Sequence, residues 1–184
     1  MGKARKLTGE RVELRRHERE NYHLYKEWYG DRAIWHLTSW TSAPMTPAAV
    51  ERLFDERELS KLDDSFAIHR RGEKEPIGVV SLMNINEAHA SADLSVVVGP
   101  EPDRSRGYGT EAMTLVLDYA FGRLKLHRVG LSVFEFNESA IAAYENLGFS
   151  EEGRLRQSIA RDGVLYDAIL MSVLGPEWEA GEGR

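Results

Sequence analysis

The residues with the clearest chemical potential lie in one short segment, DRSRGYGTEA at positions 103–112. Gly107, Gly109 and Ala112 give the spacing G-x-G-x-x-A, which is used by loops that hold a dinucleotide pyrophosphate. Glycines let the backbone approach a ligand closely, and the N–H groups that open the next helix point at an anion. Two arginines in the segment add positive charge. The segment predicts a diphosphate-binding loop. Without further motifs in the chain, the alternative is that the glycines only form a tight turn into a helix.

A dinucleotide-binding oxidoreductase is one interpretation of this loop. In that fold the glycine loop opens directly from its strand, whereas residues 99–104 separate the two here. Glu135 could supply the acid expected after the second strand, but the chain has no second βαβ half. The sequence therefore favours another diphosphate ligand, and detectable NAD(P)H or flavin binding would restore this alternative.

Periodic patterns predict the elements that position the loop. The expected order is β, α, α, β, β, β, α, β, α, β, β. The strands are predicted at 11–15, 65–70, 77–85, 92–99 and 128–136, with a hairpin at 153–174 that turns at Asp162-Gly163. The helices are predicted at 18–30, 45–59, 110–122 and 138–149.

These elements predict an α/β (α+β) fold with a mixed, mostly antiparallel sheet and helices on both faces. Strand 92–98, helix 110–122 and strand 128–134 form its central parallel β-α-β crossover, expected to be right-handed. Residues 31–44, DRAIWHLTSWTSAP, are predicted as a long connection between the first two helices.

Length and composition restrict the class of protein. The 184 residues suit one domain, predicted at 8–175 between a mobile basic tail at 1–7 and a C-terminal tail at 176–184. A net charge of -6 argues against nucleic-acid binding. There is no cysteine, and the six histidines show no metal-ligand spacing, so no metal is expected. Without an apolar leader or span, a cytoplasmic protein without membrane contact is expected.

Two motifs at compatible spacing resemble one enzyme family. Residues 104–109, RSRGYG, after a hydrophobic strand resemble the R/Q-x-x-G-x-G/A signature of the GNAT acetyltransferase superfamily, whose loop binds the pyrophosphate of acetyl-coenzyme A (acetyl-CoA). Residues 137–149, NESAIAAYENLGF, are similar to the segment in which an Asn precedes a helix and a Tyr faces the thioester. The resemblance covers residues 8–175. The spacing within 107–137 is similar to the branch of ribosomal-protein alanine N-acetyltransferases (RimJ/RimL type) and spermidine acetyltransferases.

The resemblance implies a binding site for acetyl-CoA. It implies that strand 92–98 parts from strand 128–134 and leaves backbone groups free for the pantetheine arm. Asn137 would contact that arm and also cap the following helix. The implied cofactor-binding residues are Val97, Val98, Gly99, Arg104, Ser105, Arg106, Gly107, Tyr108, Gly109, Thr110 and Asn137.

The resemblance also implies one catalytic residue. Tyr144 would donate a proton to the leaving thiolate of a direct acetyl transfer, without a covalent enzyme intermediate. From periodicity alone it could instead be a core aromatic, because Ile141, Tyr144 and Leu147 share one helical face.

The general base is not assigned by the sequence. Some relatives of ribosomal alanine acetyltransferases carry a Glu on the strand before the Asn, and Ser132 stands at that position here. Deprotonation through ordered water is one alternative. Candidates by rough proximity are Glu87, His89, Asp93, Glu111 and Glu135.

The acceptor is expected to be a primary amine. A protein or peptide α-amino group is placed first, because its pKa near ~8, against ~10.4 for an alkylamine, leaves more neutral amine for a site without an obvious base. A small-molecule amine or polyamine is the alternative, as is a noncatalytic acyl-CoA-binding module. Trp35 and Trp40 are predicted to wall the acceptor cleft or to anchor the loop to the core. A homodimer is one oligomeric state that the sequence leaves open.

Overall fold

A single mixed sheet organises the protein, for which a computed structural model describes residues 6–181. Its eight strands lie in the order β1-β2-β3-β4-β5-β6-β8-β7. The strands are β1 Lys6–Thr8, β2 Val12–Arg15, β3 Asp64–Arg70, β4 Pro76–Asn86, β5 Ser91–Val98, β6 Arg128–Phe134, β7 Ser150–Arg161 and β8 Val164–Leu174. Neighbouring strands are antiparallel except for the parallel pair β5 and β6. The predicted fold class and the parallel crossover are confirmed.

In the part of the chain that the structure describes, six α-helices cover the sheet. They are α1 Tyr22–Gly30, α2 Arg32–Thr38, α3 Pro47–Leu59, α4 Tyr108–Asp118, α5 Glu138–Glu145 and α6 Gly175–Ala180. A π-helical turn at Tyr119–Arg123 continues α4. The start of α3 agrees with its sequence signal, because the Thr46 side chain caps the helix by accepting from the Ala49 N–H at 3.3 Å.

Two helices were not predicted. Residues 32–38, expected to belong to a connection, form α2, which Asp31 caps by accepting from the N–H of Ile34 at 2.8 Å. Seven residues with one buried apolar side chain, Ile34, are too few to show a helical period. At the other end α6 packs Trp178, 6% exposed, against the core.

Both predicted domain boundaries fall within regular structure. The C-terminal boundary at 175/176 lies inside α6, so the part of the predicted C-terminal tail that the structure describes is helical and packed. The N-terminal boundary at 7/8 lies inside β1. The rest of the predicted tails, residues 1–5 and 182–184, lies outside the described residues.

Alternating side chains of the strands supply two larger cores, one on each face of the sheet, beside a small cluster of Phe134, Ile159 and Ala168. On β3, Phe66 and Ile68 join the larger core under α4, while Ala67 joins a second core under α1 and α3. The second core contains four buried aromatic residues, and its rings Tyr25 and Phe54 lie 4.4 Å apart between centroids. Helices on both faces therefore fix the plane of the sheet.

The sheet opens at its centre. Parallel pairing joins β5 and β6 only at Ser91↔Arg128, Ala92↔Val129 and Asp93↔Gly130. Beyond these pairs β6 continues to pair with β8 and β5 with β4. We call the space between residues 94–98 and 131–134 the gap. The parting of the strands that the family resemblance implied is thus present.

Candidate functional site

Three cavities follow the gap. The first cavity, about 410 Å³, lies among the ends of α2 and β5 and the starts of α4 and α5. The second cavity, about 460 Å³, lies among β5, β6, β8 and Trp40. A connecting cavity of about 60 Å³ shares Asn137 and Tyr144 with the first and Ser95 and Ser132 with the second. The gap therefore lies between the first and the second cavity and shares lining residues with both.

Most of the predicted cofactor-binding residues meet at the first cavity. Those that line it are Val97, Val98, Arg104, Ser105, Gly107, Gly109, Thr110 and Asn137. Gly99, Arg106 and Tyr108 are not among its lining. Arg106 is exposed, and the Tyr108 ring lies 4.5 Å from the guanidinium carbon of Arg11.

The glycine loop has the backbone shape of an anion-binding helix start. Gly107 is the N-cap of α4 in the left-handed region, with φ +81, and its carbonyl accepts the first helical hydrogen bond from the N–H of Glu111 at 3.0 Å. The N–H groups before Glu111 have no partner within the helix and point out of its N-terminus. A Cβ on Gly109 would lie 3.3 Å from Val98 Cγ2, so this turn packs tightly on β5.

Arg104 lines the first cavity and also fastens the glycine loop to the end of β5. Its Nε donates to the carbonyls of Val98 at 3.2 Å and Gly99 at 3.1 Å. Two carbonyls expected to be free for the pantetheine arm are therefore engaged by this side chain. Asp103 is held by Arg70 through two bonds of 3.0 Å, so two arginines fasten the loop. The charged residues of the loop could be read from the sequence, but their hydrogen-bond partners, which lie on β3 and at the end of β5, could not.

Asn137 and Tyr144 place α5 beside the gap. Asn137 Oδ1 accepts from the N–H of Ala140 at 3.4 Å, which confirms its capping role, and its Nδ2 donates to the carbonyl of Leu37 at 3.2 Å. Tyr144 lines both the first and the connecting cavity. Burial raises the pKa of Tyr144 to about 12, so its hydroxyl is protonated at neutral pH, as a proton donor requires. It also packs against the larger core, so both interpretations of the residue fit its position.

The second cavity carries unequal charge. It is lined by two carboxylates, Asp93 and Glu152, and one guanidinium, Arg128. Glu152 accepts from Arg128 and, at 2.8 Å, from Ser172 Oγ, and the Arg128 hydrogen bonds hold the pKa of Glu152 below its usual range. Asp93 accepts from the uncharged Asn84 Nδ2 at 2.9 Å. The formal balance of this lining is one negative charge.

The two predicted tryptophans differ in position. Trp40, 50% exposed, lines the second cavity and lies 5.1 Å from the Phe134 ring between centroids. Trp35 lines none of the three cavities; its Nε1 donates to the carbonyl of Thr41 at 3.0 Å, which anchors the connection. The wall prediction thus fits Trp40, and the anchor alternative fits Trp35.

Of the five predicted base candidates, Asp93 is the one that lines the second cavity. The Glu111 carboxylate accepts from the backbone N–H groups of Arg11 and Val12 at 2.8 and 3.2 Å. Glu135 accepts from a backbone N–H on β8 at 2.8 Å. The remaining two lie on the exposed turn between β4 and β5. At the position where some relatives carry a Glu, this chain has Ser132, and its side chain lines the second and connecting cavities.

Sequence reasoning missed several cavity residues. They are Leu37 and Thr38 on α2, Arg128 on β6 and Glu152 on β7. Within residues 6–181 the structure groups no three His, Asp or Glu side chains that could hold a metal ion. No helix in that range is long and apolar enough to cross a membrane.

Comparisons with known proteins place the chain among acetyltransferases. Residues 11–150 match the acetyltransferase (GNAT) domain family. Spermidine N(1)-acetyltransferase of Escherichia coli (strain K12) is 30% identical over 170 residues, which cover 92% of this chain and 89% of that protein. The crystal structure of spermidine N-acetyltransferase from Vibrio cholerae in complex with CoA and spermine aligns with TM-score 0.83 and 27% identity, over 92% of this chain and 98% of that one. YdaF of Bacillus subtilis, provisionally named a ribosomal N-acetyltransferase, is 32% identical over 102 residues, 55% of each chain.

Proposed function

The chain belongs to the GNAT family of acetyltransferases, and from that premise we propose that it acetylates a polyamine, whose second ammonium group binds in the second cavity. Its reaction class is N-acetyl transfer and its donor is acetyl-CoA. The observation that carries the proposal is the negative balance of the second cavity, where two carboxylates face one guanidinium.

The residues around the first cavity fit acetyl-CoA. The α4 N-terminus suits the diphosphate, and the unpaired edge of β5 suits the amide groups of the pantetheine arm. When bound, acetyl-CoA supplies a thioester that an amine can attack. Tyr144 would hold its proton beside the departing sulfur, because its side chain lines the connecting cavity. The route through the gap gives the acceptor a separate entrance.

A polyamine matches the second cavity better than a monoamine does. One nitrogen must be neutral to attack, while the others stay charged at neutral pH and require an anionic partner. Asp93, which accepts a hydrogen bond from Asn84 and lies close enough to Arg128 to raise the pKa of that guanidinium, offers a carboxylate at the rim, and the exposed ring of Trp40 offers a face for an ammonium group.

The preference for an α-amino acceptor rested on the apparent lack of carboxylates near the reaction. Two carboxylates, Asp93 and Glu152, line the second cavity, and this anionic lining favours an acceptor with a further charged nitrogen, while the general base stays unassigned. The spermidine acetyltransferases among the relatives also support the polyamine alternative over a protein acceptor. The cytoplasmic location and the homodimer stay predictions.

A thiol-release assay over matched acceptors tests the proposal. Spermidine, spermine, butylamine and a peptide with an N-terminal Ala would be compared at one pH. We expect kcat/KM for spermidine to exceed that for butylamine by about tenfold or more, a conservative figure for charged hydrogen bonds at a partly exposed site. Asp93→Asn should lower the value for spermidine and leave that for butylamine unchanged. Glu87→Gln, on the exposed turn between β4 and β5, is the matched control.

Two results would contradict the proposal. The first is a higher kcat/KM for the peptide than for either polyamine. The second is an equal loss for spermidine and butylamine in Asp93→Asn, which would assign this carboxylate to the reacting nitrogen or to structure.

A further inference from the structure

The C-terminal end of α2 lies over the gap. Leu37 lines the first and connecting cavities, and Thr38 lines all three. Trp40, two residues further on, lines the second. A displacement of this segment would therefore change the space available to the acceptor.

The last turn of a helix has carbonyls without helical partners. At the end of α2, two side chains from the C-terminal half supply the missing donors. Asn137 donates to the carbonyl of Leu37 at 3.2 Å, and Arg161, the last residue of β7, donates from Nε to the carbonyl of His36 at 3.1 Å. Arg161 Nη2 also donates to the carbonyl of Ser39.

Arg161 occupies an unusual setting for a guanidinium. The residue is 3% exposed, with its guanidinium carbon 4.3 Å from the centre of the Trp35 ring and 5.3 Å from that of Phe134. Its recorded hydrogen bonds go to carbonyl oxygens rather than to a carboxylate. Burial lowers its pKa, an effect that nearby Asp162 opposes.

Burying a cation without a carboxylate is costly, and an apolar side chain could fill the same space at lower cost. The planar guanidinium, however, contacts two aromatic rings while it donates to backbone on both sides of Thr38. An apolar residue could fill the space but could not hold that backbone.

We propose that Arg161 is a positioning residue for the acceptor, which holds the end of α2 so that Thr38 and Trp40 form a fixed wall of the second cavity. The inference rests on the proposed function only in taking the second cavity as the acceptor side. Arg161 donates no hydrogen bond to the glycine loop or to β5, although Leu37 and Thr38 at the end of α2 also line the first cavity, so donor binding should change less than acceptor binding.

Steady-state kinetics of Arg161→Met and Arg161→Lys test this role. Met retains much of the length and no donor, whereas Lys retains the charge and part of the donor capacity. Arg154→Met is the matched control, because Arg154 lies on the same strand and pairs with exposed Glu151 outside the three cavities. For Arg161→Met we expect the KM of the acceptor to rise by about ten- to a hundredfold, the KM of acetyl-CoA to change less than about threefold, and Lys to recover part of the loss.

Amide hydrogen exchange of residues 32–43 gives a readout that does not depend on the acceptor. Faster exchange in Arg161→Met, with rates for β5 and α4 unchanged, would support the proposal. Unchanged exchange in this segment, or an equal rise in both KM values, would overturn it. If polyamines are not accepted, the polyamine proposal fails, and the same kinetics with whichever amine is accepted still tests Arg161. If Arg161→Met does not fold, Arg161→Lys decides: the acceptor KM should rise alone.

Discussion

Replacement of Tyr144 by Phe tests the chemistry at the gap most directly. The change removes one hydroxyl and keeps the ring, which lies 5.8 Å from the Phe149 ring between centroids. Burial raises the pKa of the hydroxyl to about 12. At pH ~7 only about one molecule in 10⁵ would then carry a phenolate, so essentially every enzyme molecule has a proton to donate.

Two results follow from that protonation state. Loss of the donor should reduce kcat by about 10²- to 10⁴-fold, while the KM of acetyl-CoA changes little. In the wild type, the acid is active below its pKa, so a loss of activity from its ionisation is expected only near pH ~12. Because an alkylamine becomes neutral near pH ~10.4, kcat/KM should rise up to about pH 10 without a descending limb.

Continuous thiol-release measurements from pH ~6 to ~10 would provide kcat for the variant and the pH dependence of kcat/KM. Tyr166→Phe is the matched control, since that ring packs 4.8 Å from Phe136 and lines none of the three cavities. A kcat for Tyr144→Phe within about twofold of the wild type would refute the donor role and leave Tyr144 as a core aromatic. A descending limb below pH ~10 that disappears in Tyr144→Phe would refute the argument from burial.

Three further predictions concern the loop, the cleft wall and the core. Gly109→Asp places a carboxylate at the α4 N-terminus and a Cβ 3.3 Å from Val98, so calorimetry should show acetyl-CoA affinity reduced by more than about tenfold; unchanged affinity in a folded variant would exclude this loop from the site. Trp40→Ala and Trp35→Ala should each raise the KM of the acceptor more than the KM of acetyl-CoA. Trp35→Ala should in addition lower the thermal midpoint of unfolding, because Trp35 anchors the connection through Thr41. Unchanged kinetics in both variants would exclude the cleft wall. Burial lowers the pKa of His17 to about 3, whereas the unfolded side chain titrates at ~6.5, so protonation of His17 in the unfolded state should contribute about 2 kcal/mol to the fall in the free energy of unfolding from pH ~7 to ~5. His69, whose pKa burial lowers to about 4, contributes with the same sign. His17→Gln should therefore show a smaller fall than the wild type in chemical denaturation, and an equal fall would contradict the assignment.

Elements with a strong local signal could be predicted from the sequence. Thr46 and Pro47 mark the start of α3, and Asp162-Gly163 marks the hairpin turn between β7 and β8. The helix α2 could not be predicted in the same way, since its seven residues with one buried apolar side chain show no helical period. Its stability depends on contacts with Asn137 and Arg161, which lie about a hundred residues or more along the chain.

The two sides of the candidate site differ in the same respect. The glycine loop that lines the first cavity lies in one continuous segment, 103–110, so its motif was visible. The charges of the second cavity lie on three different strands, at Asp93, Arg128 and Glu152, and no local spacing connects them. Arg104 shows the same limit: its place in the loop predicts a ligand contact, but its hydrogen bonds to the carbonyls of Val98 and Gly99 could not be predicted from spacing.

The end of pairing at Asp93 and Gly130 gives the protein two strand edges inside its own sheet. At the outer border of a sheet such edges invite other chains, but here the helices restrict what can reach them. An extended molecule with amide groups can pair with such an edge in the way that a neighbouring strand does. The hydrogen bonds would come from backbone groups, which mutation of side chains does not remove. A variant that allowed β5 and β6 to pair along their whole length would be more stable and would have no passage through the sheet, so at this place resistance to unfolding and catalytic activity oppose each other.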